Sequence, residues 1–171
     1  MKKFQFYAAI AAMIFCCGCG YTCGSIAHPQ LKTVAVAPVI NDTTSYNSSA
    51  ILRGLLSERF TTDGSMQLKT METADCIVYA RITDVRYQAI DYGVASNGDD
   101  TYLANEWRCE ADVEFSVVLP GRGKPLIANR KVTGKTKFIN GPDMETSRNN
   151  ALRQALFSAT KTIVSSITEG W

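Results

Sequence analysis

Apolar and polar positions alternate most strictly along WRCEADVEFSVVL, residues 107–119. Trp107, Cys109, Ala111, Val113, Phe115, Val117 and Leu119 share one parity, and Arg108, Glu110, Asp112, Glu114 and Ser116 share the other. A period of two sends side chains to opposite faces of a strand, so this segment predicts a half-exposed strand with one apolar and one charged face. Upstream, ADCIVYARITDVRYQAI (74–90) places Cys76, Val78, Ala80 and Ile82 on one face. Its apolar phase then slips to Val85, Tyr87 and Ala89, as a β-bulge near Thr83 and Asp84 would produce. LKTVAVAPVIN (31–41) is almost continuously apolar, the mark of a strand covered on both faces, and Pro38 takes its far end out of the ladder. MQLKTM (66–71) predicts a short strand. LIANRKVTGKTKFI (126–139), entered through the turn PGRGKP, predicts a long one.

Two segments switch to the helical period. In 50–60, Ile51, Leu52, Leu55, Leu56 and Phe60 form one stripe while Arg53, Glu58 and Arg59 lie off it. Ser48 or Ser49 is placed to cap this helix, and Asp63-Gly64 to end it. In 143–171 the stripe is Leu152, Ala155, Leu156, Ala159, Ile163, Val164 and Ile167. DYGVASNGDDTYLANE (91–106) reads as a long polar loop. The order is then β-α-β-β-β-β-α, and the first crossover is of a size that predicts parallel pairing. Two amphipathic helices must bury their stripes against a sheet that has one apolar face. The expected fold is α+β: a two-layer sandwich with a mixed sheet of four to five strands and both helices on one face.

The N-terminus carries a different signal. Met1-Lys2-Lys3 precedes the apolar run FQFYAAIAAMIF (4–15), the layout of a secretory signal peptide. That run is too short to span a bilayer, which takes about 20 residues. Cysteines follow in FCCGCGY (15–21) and at Cys23. A zinc site wants about four ligands, with a second pair elsewhere; none is present, and His28 is the one histidine. Disulfides suit an exported protein, but Cys16 and Cys17 fall inside the signal. A bacterial lipoprotein signal remains, in which the cysteine after a small residue takes a diacylglyceryl thioether and becomes the new N-terminus. Gly18 precedes Cys19, although Cys16 occupies the position where an aliphatic residue is usual. The expected division is a signal peptide at 1–18, a lipidated tether at 19–30 and one domain at 31–171, with Cys19 as the lipid anchor. Several acyl chains there hold stably where one holds only marginally.

Composition narrows the picture further. Charged residues are 20% and apolar ones 46%, as in an ordinary globular domain, and a net charge of +2 gives no footing for a nucleic-acid partner. Beyond Cys19, the mature chain would keep Cys23, Cys76 and Cys109, so at least one thiol lacks a partner within the chain. In a simple hairpin Cys109 falls opposite the late 80s, far from Cys76, so both are expected as buried free thiols. Between 115 and 142 there are basic residues but no acidic ones. If the turn pairs Leu119 with Leu126, Glu114 falls opposite Lys131 and Glu110 opposite Lys135, while Val113 meets Val132 and Trp107 meets Phe138. Such charge pairs contribute about 0.2–1 kcal/mol each. Lys137 then faces Arg108, a like-charge pair suited to an anion, and Arg122 and Lys124 sit in the glycine-flanked turn. These four, Arg108, Lys137, Arg122 and Lys124, are the candidate anion-contact residues.

Catalysis needs converging acid, base or nucleophile partners. His28 lies in the tether, and no nucleophile elbow, phosphate loop or metal-ligand spacing occurs. Asp99-Asp100 lacks the spacing of a calcium loop. The expectation is a protein that is not an enzyme and carries no metal or cofactor beyond the lipid on Cys19.

GCGY (18–21), LKTVAVAPVIN, LLSERFTTDG (55–64), ADCIVYARITDVRYQAIDY (74–92), KVTGKTKF (131–138) and a last helix ending in Trp171 together resemble the LPS-assembly lipoprotein LptE family. The resemblance covers nearly the whole mature chain. It implies an outer-membrane lipoprotein whose domain, periplasmic or inside the lumen, plugs the large β-barrel LptD and helps deliver lipopolysaccharide to the cell surface. The implied partners are an LptD-like barrel, lipopolysaccharide or a related glycolipid, and the membrane through the anchor. A sheet with one polar face suits a polar barrel lumen. No short motif carries individual lipopolysaccharide-contact residues over to this chain. The opening V-A-V strand and helix also resemble CsgG-type and penicillin-binding-protein-activator domains, which implies instead a periplasm-facing lipoprotein scaffold or regulator. The long charged strand pair and Trp171 favour the LptE reading.

Overall fold

The computed structural model describes Ser25, His28 and residues 30–94, 102–139, 141 and 143–169. The elements in chain order are β1 (Thr33–Val36), β2 (Ile40–Asn41), α1 (Ser48–Asp63), β3 (Gln67–Leu68), β4 (Cys76–Val94), β5 (Tyr102–Val118), β6 (Ile127–Ile139) and α2 (Met144–Thr168). The strands form one mixed sheet in the order β3-β1-β4-β5-β6, with β2 added beside β4. β1 runs parallel to both β3 and β4, and β2 parallel to β4. The β4–β5 and β5–β6 pairs are antiparallel. This is the expected two-layer α+β sandwich. The predicted first strand is divided at Pro38, which has no N–H to give, and its two halves rest on successive parts of β4: Val36 beside Val78 and Ile40 beside Arg81.

One contiguous core fills the space between the layers. Val34, Val78, Ile82, Val113, Phe115 and Val117 come up from the sheet, and Leu52, Leu56, Phe60, Leu156, Ile163 and Ile167 come down from the helices, all essentially without solvent contact. Burying each such side chain is worth about 1.5–3 kcal/mol. The expected bulge is present, with the β4–β5 register shifting between Ile82 and Asp84. The extra residue flips the phase, so Val85 and Tyr87 pack against the core as Cys76 to Ile82 do before it.

At Gly134 the backbones of the two layers come into direct contact. A Cβ built there would stand 1.9 Å from the Ala155 carbonyl oxygen and 2.8 Å from the Ala159 nitrogen. Its neighbour across the ladder is Ala111, fully buried. Three alanines and one glycine thus let the backbone of α2 lie directly on β5 and β6.

Two expectations are corrected. The predicted 91–106 loop is mostly strand: β4 runs on to Val94 and β5 starts at Tyr102, with Tyr92 opposite Ala104 and Val94 opposite Tyr102. A two-stranded ladder satisfies its backbone groups without an apolar face, so alternation in the sequence does not report it. Asp99 and Asp100 lie outside the described residues. Neither Ser48 nor Ser49 caps α1. Asn47 holds that position in the left-handed region (φ 60°), which asparagine tolerates, and the Ser48 hydroxyl donates to the Ser45 carbonyl at 2.7 Å. Gly64 (φ 71°) ends the helix as expected, its N–H bonded to Phe60 O. Asp143 caps α2, accepting from the Glu145 and Thr146 N–H groups at 3.0 and 3.3 Å.

The signal segment, Cys19, Cys23 and Trp171 also lie outside the described residues. Three residues of the predicted tether, Ser25, His28 and Gln30, are described, and the first two are docked. The buried Ser25 hydroxyl donates to the Thr168 carbonyl at 2.7 Å and accepts from the His28 N–H at 3.2 Å.

Gly134→Ala is expected to destabilise the fold by about 3 kcal/mol, because backbone rather than a pliant side chain must give way. Gly54→Ala on α1, where a Cβ meets nothing within 4 Å, is expected to stabilise by about 0.5–1 kcal/mol. Urea unfolding of the two variants reads both shifts, as midpoints moving in opposite directions at unchanged slope.

Candidate functional site

The face of the sheet away from the helices is built from the other parity of each long strand. β5 supplies Arg108, Glu110, Asp112, Glu114 and Ser116, all part-exposed. The register on β6 is the one the sequence implies from residue 107 to 115: Glu114 lies opposite Lys131, Glu110 opposite Lys135, Arg108 opposite Lys137 and Trp107 opposite Phe138. Past Phe115 it slips, because Asn129 adopts a left-handed conformation (φ 39°) and Val117 pairs with Ile127. The turn that follows is one residue out of step with the expected Leu119–Leu126 pairing.

The charges on this face form a network across three strands. Asp84 of β4 stands directly opposite Asp112 of β5, an unfavourable pairing that Arg86 resolves. Its guanidinium reaches Asp84 at 2.5 Å, Asp112 at 2.8 Å and Glu110 at 3.4 Å. From β6, Lys135 Nζ reaches the second Glu110 oxygen at 3.1 Å, and the Thr133 hydroxyl donates to Asp112 at 2.6 Å. Donors therefore surround the carboxylates of Glu110 and Asp112. The hydrogen bond from Lys135 is the main cause holding Glu110 below the usual carboxylate range, against some desolvation, with Arg86 adding to it. Burial pushes Asp112 up, but the bonds from Thr133 and Arg86 outweigh it and the net shift is downward. The same contacts, Asp112 first, raise the pKa of Arg86.

Beside the network lies a depression of about 350 Å³ with a mixed polar and apolar lining, formed by Pro38, Ile40, Tyr79, Arg81, Ser116 and Asn129 among others. Ile40 and Tyr79 are 50% and 42% exposed there. Arg81 at its rim pairs with Asp42 at 3.0 Å.

The candidate anion contacts separate into two pairs. Lys137 lies opposite Arg108, but it reaches diagonally to Glu106 at 3.1 Å, so a carboxylate from the same sheet already engages it. The sequence reading had treated Glu106 as loop and did not bring it onto β5. Arg122 and Lys124 stand fully exposed in the β5–β6 turn and enter no ion pair among the described residues. Arg86 was missed as a site residue. The bulge already turned it outward, but its register against Glu110 depends on the hairpin that the supposed loop concealed.

On the inner face, Cys76 and Cys109 are free and buried. Cys109 lies opposite Tyr87, as expected for the hairpin. Burial pushes both thiols up to about 11 and Tyr87 to about 12. Arg148 covers the Tyr87 ring at 5.6 Å. Among the described residues no three His, Cys, Asp or Glu side chains converge as metal ligands.

No protein-family model and no curated protein sequence matches the chain. Solved structures do share its fold. A Xanthomonas campestris protein of the family DUF330 superposes with a TM-score of 0.55 at 13% identity, over 85% of this chain and 90% of that one. The hypothetical protein CT253 of Chlamydia trachomatis gives 0.52 at 13%, over 81% and 96%. A minor lipoprotein of Acinetobacter baumannii gives 0.51 at 12%, over 81% and 93%. At these identities the likeness is one of fold, and the fold is one that lipoproteins use.

Two outcomes test the electrostatics of this region. Glu110 and Asp112 have folded pKa values below their unfolded ones, so their pairing supports the fold above about pH 4 and is lost as pH falls through the folded values. Arg86→Ala is expected to raise both carboxylate midpoints in a carbon-13 NMR titration and to move acid unfolding to higher pH; unmoved midpoints would refute the network. Cys76 and Cys109 are expected to resist iodoacetamide at pH 8 in the native protein and to react once it is unfolded, as peptide mass mapping would read.

Proposed function

We propose that this chain is an outer-membrane lipoprotein, anchored through Cys19, whose domain seats its charged sheet face in the lumen of a large LptD-like β-barrel and assists the passage of lipopolysaccharide. The observation that carries this reading is the charge network on the open sheet face. A barrel lumen is polar, and a charged surface that enters a partner loses hydration. That loss is heaviest for a lone ion and is partly offset for one that brings its counter-ion and hydrogen-bond partners along. Glu110, Asp112, Arg86 and Lys135 bring theirs. The neighbouring depression adds a small apolar anchor, Ile40 with Tyr79, of the kind that concentrates binding energy within a polar interface.

Other observations agree with this reading. The lipoprotein-type signal ahead of Cys19, the resemblance to the LptE family along the mature chain and a fold shared with a minor lipoprotein of A. baumannii all support a lipid-anchored protein. No helix among the described residues is long and apolar enough to cross a membrane, so attachment in this reading rests on the lipid and the barrel.

The test is co-purification. The tagged, lipidated chain is drawn from detergent-solubilised membranes and its partners are identified by mass spectrometry. A large β-barrel in about equal amount is the expected result, and Tyr79→Asp should deplete it at least about tenfold if the sheet face is the contact. Recovery of the chain alone, as a homo-oligomer, or with a cell-wall enzyme would overturn the proposal in favour of a periplasmic scaffold.

A further inference from the structure

The two docked residues of the tether set how the domain meets the membrane. Ser25 is fixed to the carbonyl of Thr168, the last residue of α2. Cys19 is six residues earlier, and six fully extended residues span at most about 20 Å. If Cys19 carries the lipid, the bilayer surface therefore lies within about 20 Å of the C-terminal end of α2, with no long linker to let the domain turn over.

The sheet identifies what else stands at that end. From Ser25 the chain continues through His28, whose carbonyl accepts from Leu31 N, into the start of β1. Val34 pairs with Cys76 at the start of β4, and Ile77 pairs with Val118 at the end of β5. α2 runs back along β6, crossing Gly134 at Ala155. From that crossing, thirteen helical residues at about 1.5 Å and seven strand residues at about 3.3 Å both cover about 20 Å. Thr168 is thus level with the start of β6, and the β5–β6 turn projects from the same end of the molecule.

That turn is cationic and free. From Pro120 to Lys131 the chain carries Arg122, Lys124, Arg130 and Lys131 and no acidic residue. Three acidic groups near the tethered end accept hydrogen bonds within the domain, Asp75 from the Lys32 and Thr33 N–H groups, Asp63 from Ser65 and Glu169 from Ser165. Glu72, in the turn before Asp75, is exposed and enters no ion pair among the described residues. We infer that the β5–β6 turn is a membrane-contact element, with Arg122 and Lys124 resting on anionic lipid headgroups of the leaflet that holds the anchor. The chain length from Cys19 and the charge of the turn select this occupant, and the proposal rests on the lipid-anchor reading. A basic side chain near an anionic surface is attracted to it, and two of them bias the tilt of a domain that is already tethered. The opposite end, with Ile139 and the β4–β5 ribbon, then points away from that headgroup layer by about 40–50 Å.

The experiment uses the full lipidated chain in phosphatidylethanolamine vesicles with and without phosphatidylglycerol. A photoreactive benzoylphenylalanine replaces Gly123, where a side chain meets nothing within 4 Å, or Ile139, 75% exposed at the far end of β6. The expected result is cross-linking to lipid from position 123 at least about fivefold above that from 139 in the anionic vesicles. It should fall toward the 139 level without phosphatidylglycerol or with Arg122→Glu and Lys124→Glu combined. Equal yields at the two positions, or a yield indifferent to those charges, would overturn the inference while leaving the anchor standing. Flotation with the vesicles, compared with Cys19→Ser, reads the anchor separately; a chain that carries no lipid there overturns both.

Discussion

The seat of α2 on the sheet at Gly134 is the contact on which the rest of this structure depends. Interior packing leaves no slack for a methyl group between a strand and a helix whose backbones already touch. Because Gly134 offers none, and Ala111, Ala155 and Ala159 offer little, α2 lies flat along β5 and β6 and brings its apolar stripe down onto Val113, Phe115 and Val117. The apolar side chains of β5 from Cys109 to Val117 are then spent on one face. What remains on the other face beside Ile40 and Tyr79 is mostly what the alternation left there: carboxylates, lysines, arginines and hydroxyls. The polarity of the open face is thus a result of how closely the covered face is packed.

The open face is orderly where its strands hold their register. Beyond the bulge the β4–β5 ladder keeps one register from Asp84 with Asp112 to Ala89 with Trp107, and the β5–β6 ladder keeps one from Glu106 with Ile139 to Phe115 with Arg130, so side chains on three strands keep fixed neighbours there. Arg86 is held between two carboxylates of β5 by that register. Lys135 closes the same array from the far side. Exposed ion pairs of this kind are each worth little to stability, roughly 0–1 kcal/mol. Their effect is chiefly on the character of the surface, which presents many polar groups and little unbalanced charge.

Much of this was legible in the residues. Strict alternation marked β5, the slipped phase of β4 located its bulge at Thr83, and matching both faces of β5 against β6 fixed their register from Trp107 to Phe115. The features that escaped are those in which backbone rather than side-chain burial decides. The ribbon beyond Ile90 forms because hydrogen bonds propagate, and its polar sequence resembles a loop. Asn47 enters α1 in a left-handed conformation that no serine-cap rule foresees. For the site, charge and parity were enough to place Lys135 against Glu110, but the diagonal reach of Lys137 to Glu106 and the triple contact of Arg86 needed the hairpin that was read as a loop.

β6 closes one side of the sheet among the described residues, so its outer edge offers backbone donors and acceptors with no described strand beside them. Such an edge is a template on which another extended chain can zipper, and aggregation often begins there. Here the edge strand carries Lys131, Lys135 and Lys137, each exposed, and Asn129 interrupts its run with a left-handed kink. A second copy approaching edge to edge would meet the same three ammonium groups and the same break in its pairing. The lysines that balance the carboxylates of the sheet therefore also act as gatekeepers, protecting an open sheet from copies of itself.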